Sequence, residues 1–455
     1  MKHTQSRPRP FVRPRLEWLE DRVQPSGGLS LTPVLPVGQA VQAELSAPTL
    51  AINYSLGGGG VPAPGVNSAT YVTGTTGAAT GRGVAVDATG NEYTTGLIVG
   101  TDGSKVGFVA KYDTTGAQVY LATFAFQDSS GNAEPTEAHG IAVDATGNLY
   151  VVGTVQDLLG NNASYMVKLS NDASTALAVA AFGGIAAPES ADGVALDAAG
   201  HVVATGTYSP SATESEVFYA DLNTSDLSVV GAFYYGFQDN VNFKGSSGAG
   251  VGVQANNSQV AVAGTLVPVT GPLDDLFLRV TNPATGAAVA AFLAVPDGNA
   301  QGTAAVVDAA GNQYFASTIA VPGGTVADVL KFAPGSDLTA PPVWEYDSTD
   351  TTSTVNALAV GTGGTIYLTG SDLDVGGNPR VLITKLTDSG SSVTQTGTAL
   401  VGGAGAGTSD VGMAVAIGLN GNAVVVGTTT SPDFPVTDGS TLNGSSDAFL
   451  LNYGF

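Results

Sequence analysis

A fourteen-residue phrase recurs seven times along this chain at a period of about 55 residues, and such self-similarity means one supersecondary unit used repeatedly. The clearest copies are Gly83 to Gly96 (GVAVDATGNEYTTG), Gly140 to Gly153 (GIAVDATGNLYVVG) and Gly193 to Gly206 (GVALDAAGHVVATG). Weaker copies close at Gly264, Ser317, Gly370 and Gly427, and successive closing positions lie 57, 53, 58, 53, 53 and 57 residues apart.

Each phrase reads as a hairpin. A short strand of small residues, such as Val84–Val86, runs into Asp-Ala-Thr-Gly-Asn, and a second strand opens at Tyr93. Asp followed three residues later by Gly is turn chemistry, because Asp bonds its own backbone and Gly accepts positive φ. A third apolar stretch follows a variable loop, as in Gly107–Lys111, Tyr165–Leu169 and Val381–Leu386, and a fourth follows another turn, as in Val119–Phe124. Four strands per period are the unit of a β-propeller blade. The expected fold is therefore all-β: a seven-bladed β-propeller with four-stranded blades.

The seventh copy is followed by a third strand, Asp447–Asn452, but no fourth. Leu50–Leu56 (LAINYSL) reads as an orphan strand that completes this last blade, so that an N-terminal strand closes the ring and removes an open edge. Tyr71–Gly74 (YVTG) resembles part of a hairpin but lies too close to the first copy to count as an eighth blade.

Charge separates the ends of the chain. Residues 1–26 hold six Lys/Arg against three acids; the remainder holds 9 Lys/Arg against 35 Asp/Glu, a balance of −26. An acidic body offers few phosphate contacts, so nucleic acid is not an expected partner. No clean apolar run is long enough to span a membrane as a helix. With no cysteine, disulfides, thiolate catalysis and cysteine metal sites are excluded. The organisation expected is a basic export-type leader over 1–26, a linker over 27–48 and the propeller over 49–455, a monomer because a closed ring buries its own core.

Arg15–Ser26 (RLEWLEDRVQPS) resembles the N-terminal motif of planctomycete extracellular proteins, although no uninterrupted apolar segment follows it. The repeats resemble the SBBP propeller repeat of bacterial surface and secreted proteins. Thr428–Val436 (TTTSPDFPV), Asp447–Leu451 (DAFLL) and Gly107–Tyr112 (GFVAKY) carry that likeness, whereas Ala255 and Gly361 replace the turn aspartate in repeats four and six. The resemblance implies an extracellular or cell-surface scaffold without an assigned activity, and fold alone transfers no function.

Candidate chemistry is sparse. His3 lies in the leader and His201 in a repeat turn, leaving His139, with Glu137 beside it, as a candidate acid–base pair at a channel mouth; an ordinary loop histidine is the plainer reading. Asp87, Asp144, Asp197 and Asp308 invite a calcium reading, but one aspartate per hairpin spreads the ligands around the ring. Calcium needs about six to eight oxygens at one point, so these four are read as structural turn residues. No metal and no cofactor is assigned, since no nucleotide-binding loop, HExxH or G-x-S-x-G motif occurs. Aromatic-bearing loops supply the candidate ligand contacts: Phe237, Asp239 and Phe243 in one, Phe126 and Asp128 in another. The function expected is a non-enzymatic platform presenting variable loops to a polysaccharide or a surface protein. An extracellular lyase or hydrolase with its site near His139 is the alternative.

Overall fold

The computed structural model describes residues 65–455 except 74–76, 128–131, 157–161, 183–188, 198–199, 212–213, 236–242, 254–258, 269–274, 282–287, 294–299, 337 and 339–340. The chain divides into two compact units, 1–32 and 33–455, and all described residues belong to the second. The expected leader and linker therefore lie outside the described residues, as does Leu50–Leu56.

The architecture is an all-β propeller of four-stranded antiparallel units. The first repeat forms the sheet Ala78–Val86, Glu92–Val99, Lys105–Tyr112, Gln118–Phe124, and the second forms Thr136–Val143, Leu149–Gln156, Asn162–Leu169, Ala176–Phe182. The fifth repeat contributes Ala300–Val307, Gln313–Val321, Gly324–Phe332, Trp344–Asp347, and the sixth Thr354–Val360, Thr365–Leu373, Pro379–Asp388, Val393–Val401. Among the described residues the only helix is one 3-10 turn, Thr362–Gly364.

Counted as hydrogen-bonded sheets of four or more strands, the described residues form six rather than the seven blades expected; a further two-stranded ribbon joins Phe126–Gln127 to Ala133–Glu134. The third repeat (Ser190–Leu196, His201–Ser211, Glu214–Asn223, Val229–Tyr235) and the fourth (Phe243–Val253, Val260–Pro268, Asp275–Thr281, Ala288–Leu293) share one eight-stranded sheet. The cause is local: long strands bring Ser215 and Gly245 into a single parallel bridge that links two otherwise antiparallel sets.

The last sheet joins Asp410–Ile417, Ala423–Thr429 and Asp447–Tyr453 to Val66–Tyr71. The N-terminal strand is thus the segment entering the YVTG stretch, and not Leu50–Leu56. Asp447–Tyr453 has Ala423–Thr429 on one edge and Val66–Tyr71 on the other, so no edge remains for a further strand. Packing explains the choice. Ala69 and Tyr71 are buried with Phe434 and Phe449, whose rings stack at 4.7 Å, and the Tyr71 hydroxyl donates to the Ser431 carbonyl at 2.6 Å. Burying a ring of this size removes enough apolar surface to contribute about 1.5–3 kcal/mol.

The repeated turns are small hydrogen-bond cages. Asp87 Oδ1 accepts from the Thr89 and Asn91 backbone N–H groups, each at 2.9 Å, while Asn91 Nδ2 donates to Oδ2 at 2.7 Å. Gly90 sits at φ +87°, where a Cβ would strain the turn. Burial works to raise the Asp87 carboxyl, but these donors outweigh it and hold it at about 2. Asp144 repeats the pattern with Thr146 and Asn148, Asp308 keeps the Asn312 contacts, and Asp197 accepts from the His201 N–H at 2.7 Å.

Where a tyrosine follows the turn, as in the first, second, fifth and sixth repeats, it reaches the neighbouring repeat. The Tyr93 hydroxyl lies 3.1 Å from Asn171 of the second repeat, and Tyr150 donates to the Thr224 carbonyl of the third at 3.0 Å. Tyr367 does the same to Gly421 of the seventh at 2.7 Å. Lys111, Lys168, Lys331 and Lys385 lie over the rings of Tyr93, Tyr150, Tyr314 and Tyr367. Hydrogen bonding and cation–π contact therefore occupy the same seam between successive repeats.

Candidate functional site

The first strand of every repeat contains a β-bulge at one position. Pairing steps from Gly81 to Gly83, Ala138 to Gly140 and Ala191 to Gly193, leaving Arg82, His139 and Asp192 as the extra residues. The same step leaves Ala249, Thr303, Asn356 and Met413 in the later repeats. A bulge bends its strand and re-aims the unpaired side chain, so the repeat builds one variable outlet into each first strand. Small residues beside it are a packing requirement. A Cβ at Gly83 would stand 2.9 Å from the His139 carbonyl, and one at Gly140 would stand 3.1 Å from the Asp192 carbonyl.

In three consecutive repeats the outlets carry charge, and they meet. His139 Nδ1 lies 2.9 Å from Asp192 Oδ1, whose other oxygen accepts from Ser190 Oγ at 2.7 Å. His139 Nε2 is buried, has no hydrogen-bond partner and lies 3.8 Å from Glu137 Oε2. Lys105 Nζ donates to Glu137 Oε1 at 2.7 Å, and the Arg82 guanidinium stands 3.8 Å from Oε2. The resulting row alternates in sign: Lys105 and Arg82, Glu137, His139, Asp192.

The row shifts the titration of both its central groups. Burial disfavours the charged imidazole, but the contact of Nδ1 with Asp192, the nearby Glu137 carboxylate and the Asp192 charge outweigh it, so the His139 pKa is raised. The neighbouring His139 imidazole is the largest favourable influence on Glu137, and with Lys105 and Arg82 it overcomes burial and holds that carboxyl at about 2. The Tyr165 hydroxyl anchors the same strand by donating to the Glu137 carbonyl at 3.0 Å.

Arg82, Lys105, Glu137 and His139 of this row line a cavity of about 460 Å³ that spans the first three repeats. Its other walls are mainly hydroxyls and carboxamides, including Gln156, Asn162, Ser190, Thr207 and Ser209, with the buried Glu189 among them. Such a lining suits directional contacts to a polyhydroxylated ligand.

His139 and Glu137, paired by their sequence positions, are thus brought together with three charged residues that the sequence reading passed over: Arg82, Lys105 and Asp192. The signal was present as the variable residue before the small residue that opens each phrase. The loop candidates fare differently. Phe126 is a core residue, 2% exposed, with its ring 4.7 Å from Tyr165. Phe243 begins the first strand of the fourth repeat. Phe237, Asp239 and Asp128 lie outside the described residues.

No protein-family model matches the chain, and no curated protein matches it, so the SBBP and planctomycete resemblances lead to no family assignment. Solved structures resemble it in fold. A polysaccharide lyase of a new family, an ulvan lyase bound to -[GlcA(1-4)Rha3S]-, superposes with a TM-score of 0.51 at 9% identity, covering 85% of this chain and 95% of that one. A second structure of an ulvan lyase from a new polysaccharide lyase family gives a TM-score of 0.49 at 10% identity over 85% and 95% of the two chains. The propeller domain of the Trilobed protease from Pyrococcus furiosus gives 0.44 at 8% identity, over 84% and 94%. At these identities the likeness is one of fold. Among the described residues no helix is long and apolar enough to cross a membrane.

Proposed function

We propose that this chain is an extracellular or cell-surface propeller that binds saccharide in the cavity around His139, and that it acts as a binding platform. The carrying observation is the charged row at the bulges. Of the 9 Lys/Arg beyond residue 26, Arg82 and Lys105 are the two that line this cavity. In a body this acidic, placing both at one end of a polar cavity favours an acidic saccharide over a neutral one. The hydroxyl and carboxamide walls supply the contacts to sugar hydroxyls.

The finer architecture belongs to the same proposal: seven blades in a closed ring. Repeats three and four are read as two blades joined by one bridge. Support comes from the first strands, each packed against the next, with Asp410–Ile417 of the last packed against Ala78–Val86 of the first.

A second reading, turnover, is favoured by the His139–Asp192 pair, since a carboxylate holding Nδ1 fixes the ring and directs Nε2. Against it, Nε2 is buried and faces Glu137 rather than open solvent, and the raised pKa of the imidazole suits charge neutralisation better than proton abstraction. The deciding experiment incubates the protein with acidic and neutral polysaccharides and measures bound protein and released products in the same wells. Retention of acidic chains without products supports the platform, and its loss in Lys105→Ala places it at this cavity. Products abolished by His139→Ala in a folded protein would establish an enzyme. Absence of both retention and products would overturn saccharide binding.

A further inference from the structure

The fifth-repeat sheet holds three carboxylates that the cavity does not use. Asp328 lies directly opposite Asp347, and Glu345 lies two residues before Asp347 on the same edge strand, opposite Leu330. Alternation along a strand puts Asp328, Glu345 and Asp347 on one face. One ligand oxygen from each falls within 4.8 Å of the other two, the one such trio among the described residues.

Their surroundings do not balance the charge. Asp328 is 1% exposed; its Oδ2 accepts from Ser317 Oγ at 2.7 Å, while Oδ1 is buried with no hydrogen-bond partner. No described ion pair includes any of the three. The contrast with the turn cages is chemical. Asp87 has backbone donors on Oδ1 and side-chain donors on Oδ2, whereas one hydroxyl serves the inner member of this trio. Like charges directly opposite on neighbouring strands are destabilising, and a buried carboxylate needs a counter-charge.

We propose that Asp328, Glu345 and Asp347 bind a hard divalent cation, calcium, at the outer edge of the fifth-repeat sheet. Three carboxylates, each able to give one or two oxygens, supply part of a calcium shell of about six to eight, and water completes it from the exposed side of Glu345 and Asp347. An oxygen-only set without nitrogen or sulfur excludes a preference for zinc or copper. The ion would tie the buried Asp328 to Trp344–Asp347, a strand of only four residues and the shortest in its sheet.

The neighbouring aromatics provide the readout. Trp344 and Tyr346 alternate with the proposed ligands, and sensitise terbium, a calcium surrogate, when it lies within a few ångströms. After chelator treatment, the full chain should show saturable terbium emission on excitation at the indole band. Calcium should displace that emission and raise the melting temperature by several degrees, while an equal ionic strength of sodium chloride should leave both unchanged. Asp347→Asn and Glu345→Gln change exposed side chains and should leave the sheet intact by circular dichroism; both should lose most of the emission and of the calcium-dependent shift. Asp308→Asn should keep them. The proposal fails if calcium gives no saturable shift, if sodium chloride reproduces it, or if both edge variants respond as the unaltered protein does.

Discussion

At Asp87 the repeat places a carboxylate inside a cage of donors, and the arrangement recurs at Asp144 and, with fewer contacts, at Asp308. Five residues earlier in the same repeats stand Arg82, His139 and Thr303, which share a bulge and share no chemistry. The first position is constrained because its side chain makes the turn that makes the hairpin. The second is free because a bulged residue contributes no ladder hydrogen bonds, so changing it leaves the sheet intact. A propeller of this kind keeps its architecture in the turns and its individuality in the bulges.

The largest test of that contrast removes a turn carboxylate. Asp144→Ala strips acceptors from the Thr146 and Asn148 N–H groups and should lower the unfolding free energy by about 2–3 kcal/mol in a denaturant titration. Saccharide retention by the remaining folded protein should not change. An unaltered midpoint would mean that the cage follows the hairpin rather than making it.

Gly140→Val should couple the two regions. Its side chain meets the Asp192 carbonyl and the Val152 and Val194 side chains, and overpacking of this sort costs about 1–3 kcal/mol. Because Asp192 orients His139, retention should fall as well. Loss of stability with full retention would separate the bulge backbone from the site.

Lys105→Ala sharpens the comparison from the other side. The lysine is well exposed, so stability should move by less than about 0.5 kcal/mol. Retention of an acidic saccharide should weaken about tenfold, equivalent to roughly 1.4 kcal/mol. Equal losses for acidic and neutral chains would remove the charge argument.

The smallest effect is in pH. His139 has a raised pKa in the folded chain, so its contribution to stability is complete below the ordinary value of 6.5 and is lost as pH rises through the higher folded value. Glu137 runs the other way: its contribution is present above its ordinary 4.5 and is lost as pH falls towards about 2. The melting-temperature difference between the unaltered protein and His139→Gln should therefore shrink as pH rises above 6.5. A difference that grew with pH would show His139 to be neutral in the fold.

The phrase Gly83 to Gly96 was enough to read strands, turns and the four-strand unit, because a hairpin is local and its turn residues are specified by backbone chemistry. Tyr93 could be placed at the start of a strand but not tied to Asn171, which is 78 residues away. Phe126 looked like a loop aromatic and proved to be core, since two residues of strand and a neighbouring tyrosine decide its burial.

The fourth strand of the last sheet differs from the expected one for a related reason. Leu50–Leu56 and Val66–Tyr71 are both short and strand-like, and only the pocket formed by Phe434, Phe449 and Val436 distinguishes the segment that brings Tyr71.

By itself, then, the sequence determined the repeating unit, its turns and the all-β class, each the product of contacts within a few residues. The tertiary structure alone decided that repeats three and four touch through Ser215 and Gly245, and that Val66–Tyr71 is the strand paired with the last sheet. It also decided that Arg82, Lys105, Glu137, His139 and Asp192 stand in one row. The physical reason is distance along the chain. A turn is set by neighbours a few residues apart, whereas the site gathers side chains from three repeats, and only packing those repeats side by side brings opposite charges within reach.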